Sequence, residues 1–303
     1  MNNGNLEIPA GFFAAEERCG FLVDEKRKKV WAVELGLLDR FARVCAKHGL
    51  RWFAMGGTLL GAVRHNGFIP WDDDIDVIMP RRDYDTLLRI GSEEFAAPYF
   101  FQTPETERDF FRTHIQIRDS RTTGAIGEDI GRDINRGIFI DVFVLDESPD
   151  NPVLLERHRR VLRRLTRKAG HSTFANEYRS IFKRAWYKLL ATPPFGGGYS
   201  AAEYFRRFQA ESRRYLGSGC GKAAHTALSY RDGVIWDAAD WAETVMLDFE
   251  MIEICAPKGY DAILKRQYGD YTVIPEDKNG TAHGEVVFEP DIPYEEYFKN
   301  RQI

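Results

Sequence analysis

Four aspartates, Asp72, Asp73, Asp74 and Asp76, lie within five residues at the start of an apolar segment. The apolar residues suit a buried strand, which Pro80 ends. Because side chains alternate along a strand, Asp74 and Asp76 are predicted to share one face. Two carboxylates ~4 Å apart repel by about 4 kcal/mol at an effective dielectric of 20. The acidic end of this strand therefore needs a cation, a shared proton or solvent.

The acidic segment alone does not decide between a metal site and a solvated acidic turn. An EF-hand is excluded, because Val77 occupies the sixth position counted from Asp72, where that loop needs glycine, and Asp83 replaces its terminal glutamate. The surrounding sequence favours a metal. A second apolar strand candidate brings Asp141, so two strands could present three carboxylates, Asp74, Asp76 and Asp141, to one ion.

A glycine turn precedes the acidic strand. Gly56, Gly57 and Thr58 follow a short apolar strand candidate and come before a helix-like stretch. Glycines at such a turn expose backbone N–H groups at a helix N-terminus, which suits a phosphate, although a plain tight turn has the same sequence. Together the turn and the carboxylates indicate metal-assisted chemistry on a nucleotide.

The first half of the chain alternates predicted helices and strands, as in an α/β or α+β domain. The predicted helices are 24–48, 59–65 and 81–90, and the predicted strands are 51–55, 72–79, 110–119 and 137–146. After Pro152 helical patterns dominate, at 153–168, 174–190 and 201–216. The boundary between the two regions is predicted at residues 147–152 and could lie within one compact unit.

Composition excludes several classes of protein. Hydrophobic residues make up 44% and charged residues 29% of the 303 residues, which is typical of a folded globular protein. The formal net charge of -4 gives no general attraction to nucleic acid. The four cysteines form no CxxC or Cys/His spacing, so neither a disulfide framework nor a zinc site is indicated. With no signal peptide and no membrane-spanning run, we expect a cytoplasmic protein.

Four motifs in order resemble a known family. They are GGTLLGAVRHNGFIPWDDDIDVIMP (56–80), IRDSRTTG (117–124), GIFIDVFVLD (137–146) and APKGYDAILKRQYGDYTVIP (256–275), the last followed by His283. The set is similar to the LicD-type phosphorylcholine transferases, relatives of fukutin in the nucleotidyltransferase superfamily. The likeness covers roughly residues 35–146 and 248–283, and the basic middle does not contribute to it.

The resemblance implies an α+β fold: a nucleotidyltransferase-like mixed sheet with flanking helices in residues 24–147, and a mostly helical region 148–303 that completes the substrate site. It implies transfer of a phosphoalcohol, typically phosphocholine, from a CDP-linked donor to a sugar hydroxyl of a glycan or lipid-linked glycan, with release of CMP. By the same resemblance, Asp74, Asp76 and Asp141 would hold Mg²⁺, with Mn²⁺ as the alternative. Asp141 would also accept the hydroxyl proton.

Four further residues are candidates for substrate binding. Arg64 and His65 lie between the glycine turn and the acidic strand, where a cation could meet the donor phosphates or the acceptor. Arg118 could contact phosphate at a strand end, and Lys258 could do so at a helix start that the family shares. A surface helix end, a polar turn and an exposed lysine are the competing interpretations. Tyr268, Tyr271 and His283 are weaker candidates that core packing explains equally well.

Residues 157–168 form a basic amphipathic segment with seven Arg or Lys residues and no acid. A solvated helix face is its usual role. The alternative is peripheral contact with an anionic membrane at the inner face, helped by Lys183, Arg184, Trp186 and Tyr187.

Two other functions remain open at this point. A glycosyltransferase could use Asp74 and Asp76 as its metal-binding DxD with a nucleotide sugar, but the glycine turn and Asp141 argue against it. A non-catalytic glycan- or membrane-binding relative could keep the fold, but the intact carboxylates disfavour that reading. The donor head group could be choline, ethanolamine, a phosphonate analogue or a polyol.

Overall fold

A computed structural model describes residues 6–108, 110–174, 182, 185–186, 189, 198–228, 234–276, 278 and 286–299. The predicted helix 174–190 and the candidates Lys183, Arg184, Tyr187 and His283 therefore lie largely or wholly outside the described residues. The strands are β1 (Glu16–Arg18), β2 (Phe21–Val23), β3 (Phe53–Ala54), β4 (Asp76–Pro80), β5 (Tyr99–Gln102), β6 (Ile115–Asp119), β7 (Thr123–Ile126), β8 (Ile138–Ser148), β9 (Lys222–His225), β10 (Ile235–Asp237), β11 (Thr244–Phe249), β12 (Ile252–Pro257) and β13 (Val286–Glu289). The longer helices are α1 (Glu25–His48), α2 (Gly56–His65), α3 (Arg81–Glu94), α4 (Pro152–Phe174), α5 (Ala201–Ser212), α6 (Tyr260–Tyr268) and α7 (Tyr294–Lys299).

The central sheet is mixed and is organised around β8. Strand β4 pairs with β8 in parallel, and β3 continues beyond β4 in the antiparallel sense. On its other edge β8 pairs first with β6, which carries β5, and then with β9, which carries β10. The α+β class with a mixed sheet and flanking helices is thus confirmed. Strands from both sides of the predicted boundary near residue 148 share this sheet, and the boundary itself stays a prediction.

Helix α1 has both of its predicted end signals. The Asp24 side chain accepts a hydrogen bond of 2.8 Å from the backbone N–H of Arg27, and Gly49 ends the helix with a left-handed φ of 64°. Its apolar side packs on β8 and β6 and buries Leu35, Leu38 and other large side chains. Each such side chain contributes about 1.5–3 kcal/mol on burial. This helix therefore holds the sheet from one side and reaches the acidic loop at its own N-terminal half.

The expectation of a mostly helical C-terminal half is not confirmed. Beside α4, α5, α6 and α7, this region contributes β9 and β10 to the central sheet, the β11–β12 hairpin, and β13, which pairs with β7. These strands are short or half-exposed. In β11, for example, Phe249 is the single buried residue. Their hydrophobic runs are too brief to stand out from helical patterns. Among the described residues, no helix is long and apolar enough to cross a membrane.

Candidate active site

The glycine turn brings the backbone of α2 against two carboxylates. Gly56 has a left-handed φ of 57°, and a Cβ placed there would lie 3.1 Å from Oδ2 of Asp76. A Cβ on Gly57 would overlap the carboxylate of Asp72. Glycine is favoured at position 56 by its positive φ, and at position 57 a side chain would force the Asp72 carboxylate to move. Carboxylates at a helix N-terminus are also favoured by its positive dipole end.

Thr58 joins the turn to the acidic strand. Its buried Oγ1 accepts a hydrogen bond of 2.8 Å from the backbone N–H of Asp76. The carbonyl of Asp76 in turn accepts from the backbone N–H of Met55 at 3.1 Å. The start of β4 is therefore fixed by α2 through main-chain groups of Asp76, and its carboxylate is left to other contacts. This is a structural role for Thr58; a contact with substrate stays a prediction.

Asp76 and Asp141 are neighbours across the sheet. They are register partners in the parallel pair of β4 and β8, so their side chains project to the same face, and the backbone N–H of Asp141 donates to the carbonyl of Ile75 at 2.9 Å. Strands in a sheet lie about 4.8 Å apart. Two carboxylates from separate strands are thereby placed side by side, as a shared cation would require.

The loop before β4 adds further carboxylates. Carboxylate oxygens of Asp72, Asp73 and Asp74 all lie within 4.8 Å of one another. Among the described residues, this is the group of three or more potential metal ligands that lie this close together. Sequence reasoning had selected Asp74 but not the other two. Helix α1 anchors the loop, because Arg27 and the indole of Trp31 donate to the Asp72 carbonyl at 2.8 and 3.2 Å. Carboxylate oxygens are the ligands that Mg²⁺ prefers, so this donor set fits that ion.

The charges at the site shift two carboxyl groups in opposite directions. Burial, together with the charges of Asp74, Asp141 and Asp72, holds the pKa of Asp76 well above its ordinary value. Burial would also raise the pKa of Asp141, but His114 and a hydrogen bond from Gln116 hold that pKa below its ordinary value. Of the two carboxyl groups, Asp141 therefore ionises at the lower pH, and a bound cation would lower the pKa of Asp76.

A cavity of about 540 Å³ opens over this cluster. Asp72, Asp74 and Asp76 line it, whereas Asp73 lines a different cavity beside α1. The volume is in the range of small-molecule sites. Three aromatic residues also line the cavity, namely Trp71, Tyr268 and Tyr271. Burial and the nearby charges of Asp76, Asp72 and Asp74 raise the pKa of Tyr268, which keeps its hydroxyl protonated as a hydrogen-bond donor.

Arg64 lines the same cavity and binds the backbone of the segment 271–273, which also lines it. Its guanidinium donates to the carbonyls of Tyr271 and Val273 at 3.0 and 3.3 Å, and its Nε lies 2.9 Å from Nε2 of His65. Burial and the positive charge of Arg64 lower the pKa of His65 to about 4. His65 is therefore neutral near pH 7, and Arg64 is the cation that faces the cavity.

Two predicted substrate contacts lie elsewhere. The Arg118 side chain is fully buried and donates to Gln102, to Gln116 at 2.7 Å, and to the carbonyls of Gly124 and Gly137 at 3.0 and 2.7 Å. This geometry gives it a structural role and does not support a phosphate contact. Lys258 is exposed, pairs with Glu243 at 2.7 Å and is absent from the cavity lining.

The comparisons agree with these motifs. The LicD/FKTN/FKRP nucleotidyltransferase domain matches residues 49–130. The lipopolysaccharide cholinephosphotransferase LicD of Haemophilus influenzae is 27% identical over 257 residues, which cover 82% of this chain and 92% of that protein. The human ribitol 5-phosphate transferase FKRP is 34% identical over 76 residues, 24% of this chain and 15% of that protein. Residues 49–130 therefore belong to the LicD/FKTN/FKRP nucleotidyltransferase-domain family, as the sequence motifs predict.

The part that matches this family contains most of the site. It includes the glycine turn, the Asp72–Asp76 segment and β6, while Asp141 on β8 lies beyond it. Sequence reasoning missed Asp72 and Asp73 as members of the cluster and missed His114 and Gln116 beside Asp141. The alternation in β6 was a usable signal, since Gln116 and Arg118 fall on one face of the strand and His114 directly precedes it.

Proposed function

We propose that this chain transfers a phosphoalcohol, with phosphocholine as the first candidate, from a CDP-linked donor to a hydroxyl of a cell-surface glycan precursor. The observation that carries the proposal is the pairing of Asp76, which lines the acidic cavity, with Asp141 on the next strand, which is not itself part of the lining. The name of the Haemophilus relative, a lipopolysaccharide cholinephosphotransferase, suggests the donor and the acceptor class. The name of the human relative makes CDP-ribitol the polyol donor to test beside choline and ethanolamine donors.

The proposed reaction is one in-line displacement. The acceptor hydroxyl oxygen attacks the phosphorus that bears the alcohol, and a new O–P bond forms. The bond from that phosphorus to the bridging oxygen breaks, and its electron pair leaves with CMP. Asp141 accepts the hydroxyl proton, because its lowered pKa keeps it ionised before the attack. Arg64 contacts the donor phosphates from the cavity wall.

Asp74, Asp76 and Asp141 are the proposed Mg²⁺ ligands, and Asp72 joins them because it lines the same cavity beside Asp74. When bound, the ion neutralises the donor diphosphate and the charge that develops on the transferred group. The raised pKa of Asp76 supports this assignment, since a carboxylate crowded by other carboxylates gains most from a cation.

A donor screen tests the function. CDP-choline, CDP-ethanolamine, CDP-ribitol and UDP-sugars are each incubated with Mg²⁺ and a glycan acceptor, and CMP or UDP release is measured. We expect CMP from a CDP-linked donor, with turnover lost in Asp141→Asn. Release of UDP instead would identify the glycosyltransferase alternative, and no release with any donor would favour a binding protein.

A second proposal is peripheral contact with an anionic membrane through α4. Arg157, Arg160, Arg163, Arg164 and Arg167 are exposed and recur at helical spacing along one side of this helix. Near an anionic surface each arginine contributes about 1 kcal/mol. The double variant Arg163→Gln/Arg167→Gln should bind phosphatidylglycerol vesicles more weakly, whereas Arg206→Gln/Arg207→Gln on α5 removes equal charge elsewhere. Equal losses in the two variants would contradict a specific role for α4.

A further inference from the structure

A row of polar side chains crosses four strands at the level of the acidic site. In the register of the sheet, Asp76 on β4 is paired with Asp141 on β8, Asp141 with Gln116 on β6, and Gln116 with Gln102 on β5. Register partners project to the same face of a sheet. The row therefore leads from the cavity into the interior, where Gln116 and Gln102 are both buried.

Gln116 connects Asp141 to a buried cation. Its Nε2 donates to Oδ1 of Asp141 at 2.7 Å, and its Oε1 accepts from the Arg118 guanidinium at 2.7 Å. A guanidinium has no acceptor, so the amide oxygen must face Arg118 and the amide N–H₂ must face Asp141. Arg118 is itself held by two backbone carbonyls and by Gln102, which fixes the amide from behind.

A second contact reaches the same carboxylate oxygen. Nε2 of His114 lies 3.2 Å from Oδ1 of Asp141, and the His114 ring packs on Phe143 with 4.4 Å between centroids. Among the described residues, the side chains that contact the Asp141 carboxylate, Gln116 and His114, both do so at Oδ1. The carboxylate is thus held at Oδ1, and Oδ2 is the oxygen that can bind a metal or accept a proton.

We infer that Gln116 is a positioning residue of this site: with His114 it fixes Oδ1 of Asp141 so that Oδ2 serves the metal and the acceptor proton. The inference rests on the proposed function. Without these contacts, repulsion from Asp76 in the next strand would turn the Asp141 carboxylate away from this position. Partners that orient metal-ligating carboxylates typically change metal affinity or activity 10–100-fold when they are removed.

The chain offers a closely matched control. Gln102 and Gln116 are both buried and both accept a hydrogen bond from Arg118, but Gln116 is the one that donates to Asp141. Gln116→Met and Gln102→Met each remove one acceptor from Arg118 and replace an amide by an apolar side chain of similar length. Gln102→Met also removes the donor to Glu107 and to the Asn135 carbonyl, so it should lose at least as much thermal stability as Gln116→Met, whereas the loss of metal affinity should belong to Gln116→Met.

The measurement is Mn²⁺ binding, followed through the paramagnetic resonance signal of free Mn²⁺, together with kcat and KM for the donor. Gln116→Met is expected to bind Mn²⁺ about 10–100-fold more weakly and to lose kcat by a similar factor with little change in donor KM. Gln102→Met should keep the wild-type Mn²⁺ affinity. His114→Phe retains packing on Phe143 and provides a second test if Gln116→Met does not fold: weaker Mn²⁺ binding is again expected.

The outcomes separate this inference from the proposed function. Equal Mn²⁺ affinities in Gln116→Met and Gln102→Met, or an unchanged affinity in His114→Phe where Gln116→Met does not fold, would overturn the positioning role even if phosphoalcohol transfer is found. If the wild-type protein binds Mn²⁺ but transfers nothing from any donor, the proposed function fails while the Mn²⁺ comparison still decides the role of Gln116. If the wild type neither binds Mn²⁺ nor transfers, both are refuted.

Discussion

Replacing Asp76 by asparagine removes charge from the acidic cavity with almost no change in shape. Asp76 lies beside Asp141 across the sheet, and the charges of Asp74, Asp141 and Asp72 all raise its pKa. One pair of unit charges ~5 Å apart repels by about 3 kcal/mol at an effective dielectric of 20. Partial protonation of Asp76 relieves some of this energy. We therefore expect Asp76→Asn to stabilise the metal-free protein by about 1–3 kcal/mol.

The sign of the pH dependence follows from the raised pKa. The folded protein holds the Asp76 proton more tightly than the unfolded chain does, so stability of the metal-free wild type falls as pH rises from about 4 through the raised folded value. Asp76→Asn lacks this loss. Its advantage over the wild type should be absent near pH 4 and should grow with pH until Asp76 is fully ionised.

Thermal melts in EDTA and in saturating Mg²⁺ provide the assay. At roughly 2 °C per kcal/mol for a chain of this size, Asp76→Asn should melt about 2–6 °C above the wild type in EDTA. Mg²⁺ at 100 times its Kd stabilises by about 2.7 kcal/mol, and this shift should occur in the wild type but be lost in the variant, along with turnover. Asp270 lines the same cavity, and Asp270→Asn is the control: its melting temperature in EDTA and its Mg²⁺ shift should equal those of the wild type. A variant that melts below the wild type in EDTA and keeps the Mg²⁺ shift would refute the reasoning.

Two further predictions concern the turn and the histidine beside it. Gly57→Ala should weaken donor binding and destabilise the protein because its Cβ overlaps the Asp72 carboxylate, whereas Gly36→Ala, in open space within α1, should stabilise by about 0.5–1 kcal/mol; equal melting shifts from the two variants would contradict this. His65 is held neutral with a pKa of about 4, so the wild type should lose stability as pH falls from 6.5 to 4, and His65→Gln should reduce that loss in melts across this range; an unchanged slope would show that His65 is solvated.

The elements that the sequence predicted correctly carry local signals. Helix α1 has a periodic apolar face, a capping aspartate and a terminal glycine, and α2, α3, β4 and β8 are likewise bounded by Gly or Pro. The missed strands depend on partners far along the chain. Strand β13 pairs with β7, about 160 residues earlier in the chain, and the residues of β13 are all half-buried. No local pattern marks a strand whose stability comes from a distant partner.

The candidate site shows the same division. The sequence predicts Asp74, Asp76 and Asp141 as site carboxylates because they lie on two apolar strand candidates. The register of β4 with β8 places Asp76 and Asp141 together. The roles of Arg118 and Lys258 could not be predicted from the sequence. A single cationic residue gives the same sequence signal whether its side chain is buried against carbonyls or exposed beside a glutamate. Burial and partners decide between these roles, and both are set by tertiary packing.

Backbone groups anchor the acidic segment at several points. Arg27 and Trp31 bind the Asp72 carbonyl, Thr58 accepts from the Asp76 N–H, and the Ile75 carbonyl accepts from the N–H of Asp141. None of these anchors uses a carboxylate oxygen. Removing a charge by an Asp→Asn change therefore leaves the anchors in place, and the repulsion among the carboxylates becomes a separable quantity. A fold that sets crowded carboxylates by main-chain contacts is at its most strained without a cation, which is why metal binding and stability should change together here.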